Sequence, residues 1–299
     1  MTNPRSPAVS KNRNWWPRRR RLVFIIVAIL FGPGIIWFTV ASLYALRSLP
    51  ALPIPSGSVV EHTDAEWGTI VLGDKRCVLI NNVWNKKSAG PKLQQEVFVE
   101  NSHGNSVAGW RWRAPWQAIP RVVSQPQVVC GDKPWDEPRH LIPEFPFRVD
   151  AKHVTANFDV QMQAVGDYNM SFTLWAVRSL PAARDVISHE IMIWIAKDGQ
   201  SPAGHHRGAI DVQGVSYDVY VEEGHQDASG ANKNVWTYVA FVARKAMLQG
   251  PLDLSAFTKY LVEQKLLATD SYITSVELGN EVCNGAGIVE LQKFGLRFQ

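Results

Sequence analysis

Apolar and polar positions alternate in short runs along most of the chain: Thr69 to Leu72, Cys77 to Val83, Glu96 to Glu100, Val154 to Val165 and Asn169 to Val177, bounded by Gly, Pro, Asn and Asp. Alternation with period two marks strands. Short strands punctuated by turns at this density predict an all-β sandwich or barrel. One segment changes period. Leu254 to Leu267 places Leu254, Phe257, Leu261 and Val262 at helical spacing behind Asp253, a candidate N-cap, and predicts a single helix. With no internal repeat, residues 59–299 form one domain, long enough to bury a core by itself.

The N-terminal part follows another pattern. Residues 1–21 hold Arg5, Lys11, Arg13 and Arg18 through Arg21 without an acid, and residues 22–46 carry no charge at all. A 25-residue uncharged stretch behind a basic tail predicts a transmembrane signal-anchor, kinked at Gly32-Pro33-Gly34, with the tail in the cytoplasm and the domain periplasmic or extracellular. The alternative is a secretory signal removed by cleavage, for which Ala41-Ser42-Leu43-Tyr44-Ala45 offers a poor site. Residues 47–58, with Pro50, Pro53 and Pro55, read as a stiff stalk lifting the domain off the bilayer.

Charge supports this division. Seven of the 31 Lys and Arg lie in the tail, leaving 24 against 27 acids, a net of −3 for the remainder. The domain has no basic stripe and is not expected to bind nucleic acid. Three cysteines allow at most one internal disulfide; Cys77 with Cys130 is one possibility, and Cys283 is either a cleft thiol or a small buried hydrophobe. His189-Glu190 looks like the start of a zinc-binding HExxH, but residue 193 is Ile and the segment is strand-like, so no metal or other cofactor is expected. His205-His206, between Gly204 and Gly208, is expected in a loop near the cleft.

The candidate chemistry lies in two carboxylates. In Glu190-Ile191-Met192-Ile193-Trp194, alternation puts Glu190, Met192 and Trp194 on one face and the isoleucines on the core face. Glu281, in Gly279-Asn280-Glu281-Val282, offers a second carboxylate on another strand-like segment. Two carboxylates facing each other across a cleft are the minimum machinery for glycosidic cleavage. Nine of the twelve tryptophans fall in the domain, where indoles can stack on the apolar faces of pyranose rings. Trp110 and Trp112 share a strand face and suit core and cleft equally.

These runs resemble the two catalytic motifs of glycoside hydrolase family 12, the compact retaining endoglucanases. Asn81-Asn82-Val83-Trp84, Ser124 to Val129, Gly214 to Tyr220 and Trp236 to Phe241 resemble that family's other strands in the same order. The resemblance implies a two-sheet antiparallel β-jelly-roll of concanavalin-like form with one helix on its back, acting as a monomer on a β-1,4-glucan such as cellulose, xyloglucan or mixed-linkage glucan. It implies Glu190 as nucleophile, ionised at working pH, and Glu281 as acid/base, held protonated. It assigns Asn82 and Trp84 to sugar contacts on the non-reducing side, and Met192 and Trp194 to the cleft floor. A cysteine that often forms a disulfide in the family is replaced here by Glu96.

At one position the chain departs from the family. The strand before the nucleophile reads Phe172-Thr173-Leu174-Trp175, where the family has Tyr-Asp-x-Trp with the Asp bonded to the nucleophile. Thr173 is then the expected nucleophile support, able to donate a hydrogen bond but not to share a proton. This substitution keeps open two further readings: a non-hydrolytic or very slow carbohydrate-binding protein on the same fold, and a structural envelope protein without a glycan ligand.

Overall fold

In chain order the strands are β1 (Ser58–Thr63), β2 (Thr69–Val71), β3 (Cys77–Ile80), β4 (Gln94–Ser102), β5 (Asn105–Ala114), β6 (Gln127–Gly131), β7 (Phe147–Arg148) and β8 (Val154–Val165). There follow β9 (Tyr168–Val177), β10 (Ile187–Asp198), β11 (His205–Val212), β12 (Val215–Gln226), β13 (Val235–Ala243), β14 (Gln249–Asp253), β15 (Tyr272–Gly279) and β16 (Gly285–Phe298). This computed structural model describes residues 50–102, 104–117, 119–230 and 232–299. The basic tail and the membrane helix expected at 22–46 lie outside the described residues. Among the described residues no helix is long and apolar enough to cross a membrane.

Two sheets form the expected sandwich. One has six strands in the order β1-β4-β5-β16-β8-β14; the other has ten, in the order β11-β12-β13-β10-β9-β15-β6-β3-β2, with β7 beside β15. The sheets are not wholly antiparallel. β10 and β13 run parallel, pairing Glu190 with Tyr238 and Met192 with Ala240.

Alternation along each strand decides what enters the core. Ile191, Ile193 and Ile195 point inward from β10, and Phe158 of one sheet meets Phe172 of the other edge-to-face at 5.1 Å. Trp110 and Trp112 belong to this core and are fully buried. Truncating either to Ala would cost about 3–5 kcal/mol. The helix spans Leu254–Glu263 and stops four residues earlier than its periodicity suggests, before Lys265 in the left-handed region at φ 58°. Asp253 caps it, accepting from Ala256 N at 3.1 Å, and Phe257 packs on Tyr217 and Phe241. A one-turn helix, Lys86–Ala89, is also present.

Two expectations change, and one open possibility is realised. From Pro50 onward the stretch expected to be a stalk does not project from the domain: Arg113 Nε donates to Pro50 O at 2.7 Å and Arg111 donates to Pro53 O at 2.8 Å. Ser56 N donates to Glu290, and Gly57 N to Glu100, each at 2.8 Å. The segment is thus strapped to the outer face of the six-stranded sheet, where Phe98 and Glu100 are fully buried. The backbone N–H groups satisfy buried carboxylates that would otherwise be costly. His205 and His206 lie on the edge strand β11 and not in a loop, with His206 Nε2 3.4 Å from Asp218. Cys77 and Cys130, register partners on β3 and β6, form a disulfide.

Candidate active site

The outer face of the ten-stranded sheet carries a cavity of about 500 Å³. Glu190 reaches it from β10 because its core-facing neighbours are apolar, and Trp175 on β9 is its register partner. Trp67, Trp84, Trp135, Trp175, Trp194 and Trp236 all line this cavity, giving it six indoles. Trp67 is 48% exposed and sits in the left-handed region at φ 62°, a conformation a bulky residue adopts only where its surroundings impose it.

Glu281 lines the same cavity but is not on a strand, as its sequence context suggests. β15 ends at Gly279, and Val282 forms an isolated bridge with Ser124. A Cβ on Gly279 would stand 2.4 Å from Gln127 Cβ and 2.5 Å from Pro126 O, so only glycine passes here. Asn280 then turns inward and accepts from the buried Trp110 indole. Beyond it the Glu281 carboxylate accepts from Asn169 Nδ2 and, at 2.9 Å, from Gln200 Nε2.

Electrostatics couple the two carboxyls. Glu190 accepts from Trp236 Nε1 at 3.0 Å, yet burial and the neighbouring Glu281 charge push its pKa up to about 8. Burial raises Glu281 as well, opposed by its hydrogen bonds from Asn169 and Gln200. Burial and the Glu281 charge favour the neutral form of Glu190, which has one indole donor, whereas two amide donors favour the charged form of Glu281. Cys283 is buried rather than cleft-lining; burial, then the Glu281 and Asp167 charges, push its thiol up to about 12, so it stays protonated.

The other expected site residues divide. Asn82 and Trp84 line the cavity, although Asn82 Oδ1 is taken up by Trp84 N at 3.1 Å. Trp194 contributes to the wall while only 1% exposed. Met192 does not reach the cleft: it is fully buried in a cluster with Trp194, Tyr238 and Ala240. Thr173, 1% exposed, pairs with Met192 and not with Glu190, and its Oγ1 accepts from Gln125 Nε2 at 3.5 Å, while Trp236 donates to Glu190. Asn169, Gln200 and Lys133 carry no motif that marks them as site residues, and Trp236 opens a family-like strand without being singled out for the site. Only the shared face of Trp236 and Tyr238 on an alternating strand hints at Trp236. Glu277, which the spacing to Gly279 excludes as acid/base, is buried in an ion pair with Lys133 at 3.0 Å.

Comparison with known proteins agrees with this fold. The sequence profile of glycosyl hydrolase family 12 matches residues 75–298. The chain is 27% identical over 228 residues to Endoglucanase S of Pectobacterium parmentieri, covering 75% of this chain and 83% of that protein. It is 24% identical over 229 residues to the inactive glycoside hydrolase XLP1 of Phytophthora nicotianae, covering 74% of this chain and 85% of that one. Among solved structures, the native family 12 xyloglucanase from Bacillus licheniformis superposes with a TM-score of 0.71 at 24% identity, covering 80% of this chain and all of that one.

Proposed function

The chain belongs to glycosyl hydrolase family 12 and is an endo-β-1,4-glucanase-like glycoside hydrolase, and from that premise we propose that it cleaves a β-1,4-glucan backbone with retention, by double displacement at Glu190 and Glu281. The observation that carries this reading is that both carboxyls line one indole-walled cavity, where the Glu281 charge acts on Glu190. Glu190 attacks the anomeric carbon while Glu281 gives its proton to the leaving oxygen; Glu281 then deprotonates the water that releases the glycosyl-enzyme. Attack requires a proton on Glu281 and none on Glu190. A glycosidic oxygen seated against Glu281 draws it there, and the Trp236 N–H then steadies the Glu190 carboxylate.

Release of reducing ends from cellulose derivatives, xyloglucan and mixed-linkage glucan, with Glu190→Gln as control, tests the proposal. Thr173 in place of a carboxylic acid favours the alternative, a non-hydrolytic or very slow carbohydrate-binding protein; glycan binding without release would identify it. We also propose that residues 22–46 anchor the chain as a single-pass membrane protein with the domain outside the cytoplasm. The uncharged stretch behind the arginine block supports that reading.

A further inference from the structure

We propose that the Lys133–Glu277 ion pair is a positioning element for the Glu190 carboxyl, supplying beneath the cleft the charge control that Thr173 cannot. The proposal rests on Glu190 as nucleophile. Lys133 Nζ lies 3.0 Å from Glu277 Oε2, with the side chains 3% and 1% exposed. Removing two charges from water is expensive, and apolar residues of similar size would serve stability as well or better. A pair buried this deeply beneath a cleft therefore calls for a role other than stability.

Its location supplies one. Glu277 is the register partner of Thr173 on β9, which in turn pairs with Met192 on β10, so Glu277, Thr173 and Glu190 share the cleft face of three adjacent strands. Thr173 is the short neighbour of Glu277 on β9, and Trp175, two residues on, stands beside Glu190 on the same face. Lys133 also lines the cavity, its ammonium 5.2 Å from the Trp135 ring centre. The charged and titratable groups that act on Glu190 are Glu281 beyond β15, Glu277 on β15, Lys133 after β6 and Tyr238 on β13; His225, paired with Glu222, and Arg184 line the same cavity, and Asp136 acts on Glu277. Glu277 and Lys133 act on Glu190 with opposite sign, the first disfavouring and the second favouring its charged form. Together they hold the nucleophile's protonation between two opposed fields.

The test is the acid limb of kcat/KM against pH on a soluble β-glucan, which reports ionisation of the free enzyme's nucleophile. Glu277→Gln leaves the Lys133 cation unopposed and moves the limb to lower pH; Lys133→Met leaves the Glu277 anion unopposed and moves it to higher pH. Shifts of order one pH unit, about tenfold in the proton equilibrium, are expected, and the K133M/E277Q double variant returns the limb toward the parent. A purely structural pair would lower stability and leave the limb in place. Limbs unmoved in both folded single variants, or moved in the same direction, would overturn the proposal. If an unpaired charge unfolds the single variants, T173D/E277Q keeps one carboxylate facing Lys133 and carries the test. A limb at the parent position with kcat maintained supports the proposal, and a folded variant with kcat lost overturns it. Glu190→Gln separates the two readings: if that variant still releases reducing ends, Glu190 is not the nucleophile, and if it is inactive, the limbs judge the ion pair alone.

Discussion

Asn169 holds Glu281 at three points: its backbone N–H donates to Glu281 O at 3.1 Å, its Oδ1 accepts from Glu281 N at 3.1 Å, and its Nδ2 donates to the Glu281 carboxylate. A residue beyond the end of a strand is thereby fixed as firmly as one within it. Asn169→Ala removes both side-chain contacts and is expected to lower kcat by about 10–100-fold through loss of orientation. It also removes a donor that favours the charged carboxylate, so the basic limb of the pH–rate profile should move to higher pH. Unchanged kcat and limb in a folded variant would show that Glu281 is placed by other contacts.

Glu190 makes stability depend on pH. Its folded pKa is raised to about 8 from 4.5, so its contribution is fully present below about pH 4.5 and is lost as pH rises toward 8, where the unfolded chain releases the proton first. Glu190→Gln removes this loss. Its melting temperature should exceed the parent's at pH 8, corresponding to roughly 2–4 kcal/mol, with the difference shrinking toward pH 4.5. Parallel melting curves across that range would contradict the assignment.

Glu281→Ala should lose activity on natural glucans and regain part of it with azide on an activated aryl glycoside. A good leaving group needs no acid, and azide needs no base. The product to look for is a β-glycosyl azide; finding none would count against Glu281 as acid/base.

The Cys77–Cys130 disulfide joins residues 53 apart in sequence. Closing a loop of that length lowers the entropy of the unfolded chain by the equivalent of about 4 kcal/mol. Paired Cys→Ser variants should shift the urea midpoint accordingly, while kcat on soluble glucan remains near the parent value because the bridge lies outside the cavity lining.

The strapped N-terminal segment changes where a soluble domain should begin. The full chain is expected to partition with membranes. A chain starting at Ser48 should be soluble and stable, whereas one starting at Ser58 leaves Glu100 and Glu290 without their backbone donors and loses about 1–3 kcal/mol for each. Urea titration of the two truncated chains measures the difference. Recovery of a native soluble form beginning near residue 46 would replace the anchor with a cleaved signal.

Alternation made the sandwich readable, and Val154 to Val165 coincides with β8 to the residue because polar and apolar positions alternate cleanly along it. It could not distinguish a face covered by core from a face covered by another segment. Met192 was therefore expected in the cleft although it is buried against Tyr238, and the residues after Arg47 were expected to stand free although Arg111 and Arg113 bind them. Glu190 and Glu281 were legible because their local motifs are dense. Their hydrogen-bond partners were not, since Asn169, Gln200 and Trp236 meet them only through long-range pairing. The positions of β11 and Glu281 show the same limit: glycine marks a change in backbone direction but not whether a strand or a crossing follows.

The strap also governs how the molecule can be mounted. Pro50 to Gly57 run along the sheet that backs the cleft, so Pro50 lies on the face of the domain opposite the indole-walled cavity. Attaching the domain at residue 50 to a bead, a scaffold or a second enzyme should leave its turnover on long polymers undiminished, while attachment through the loop bearing Gln200 should obstruct it.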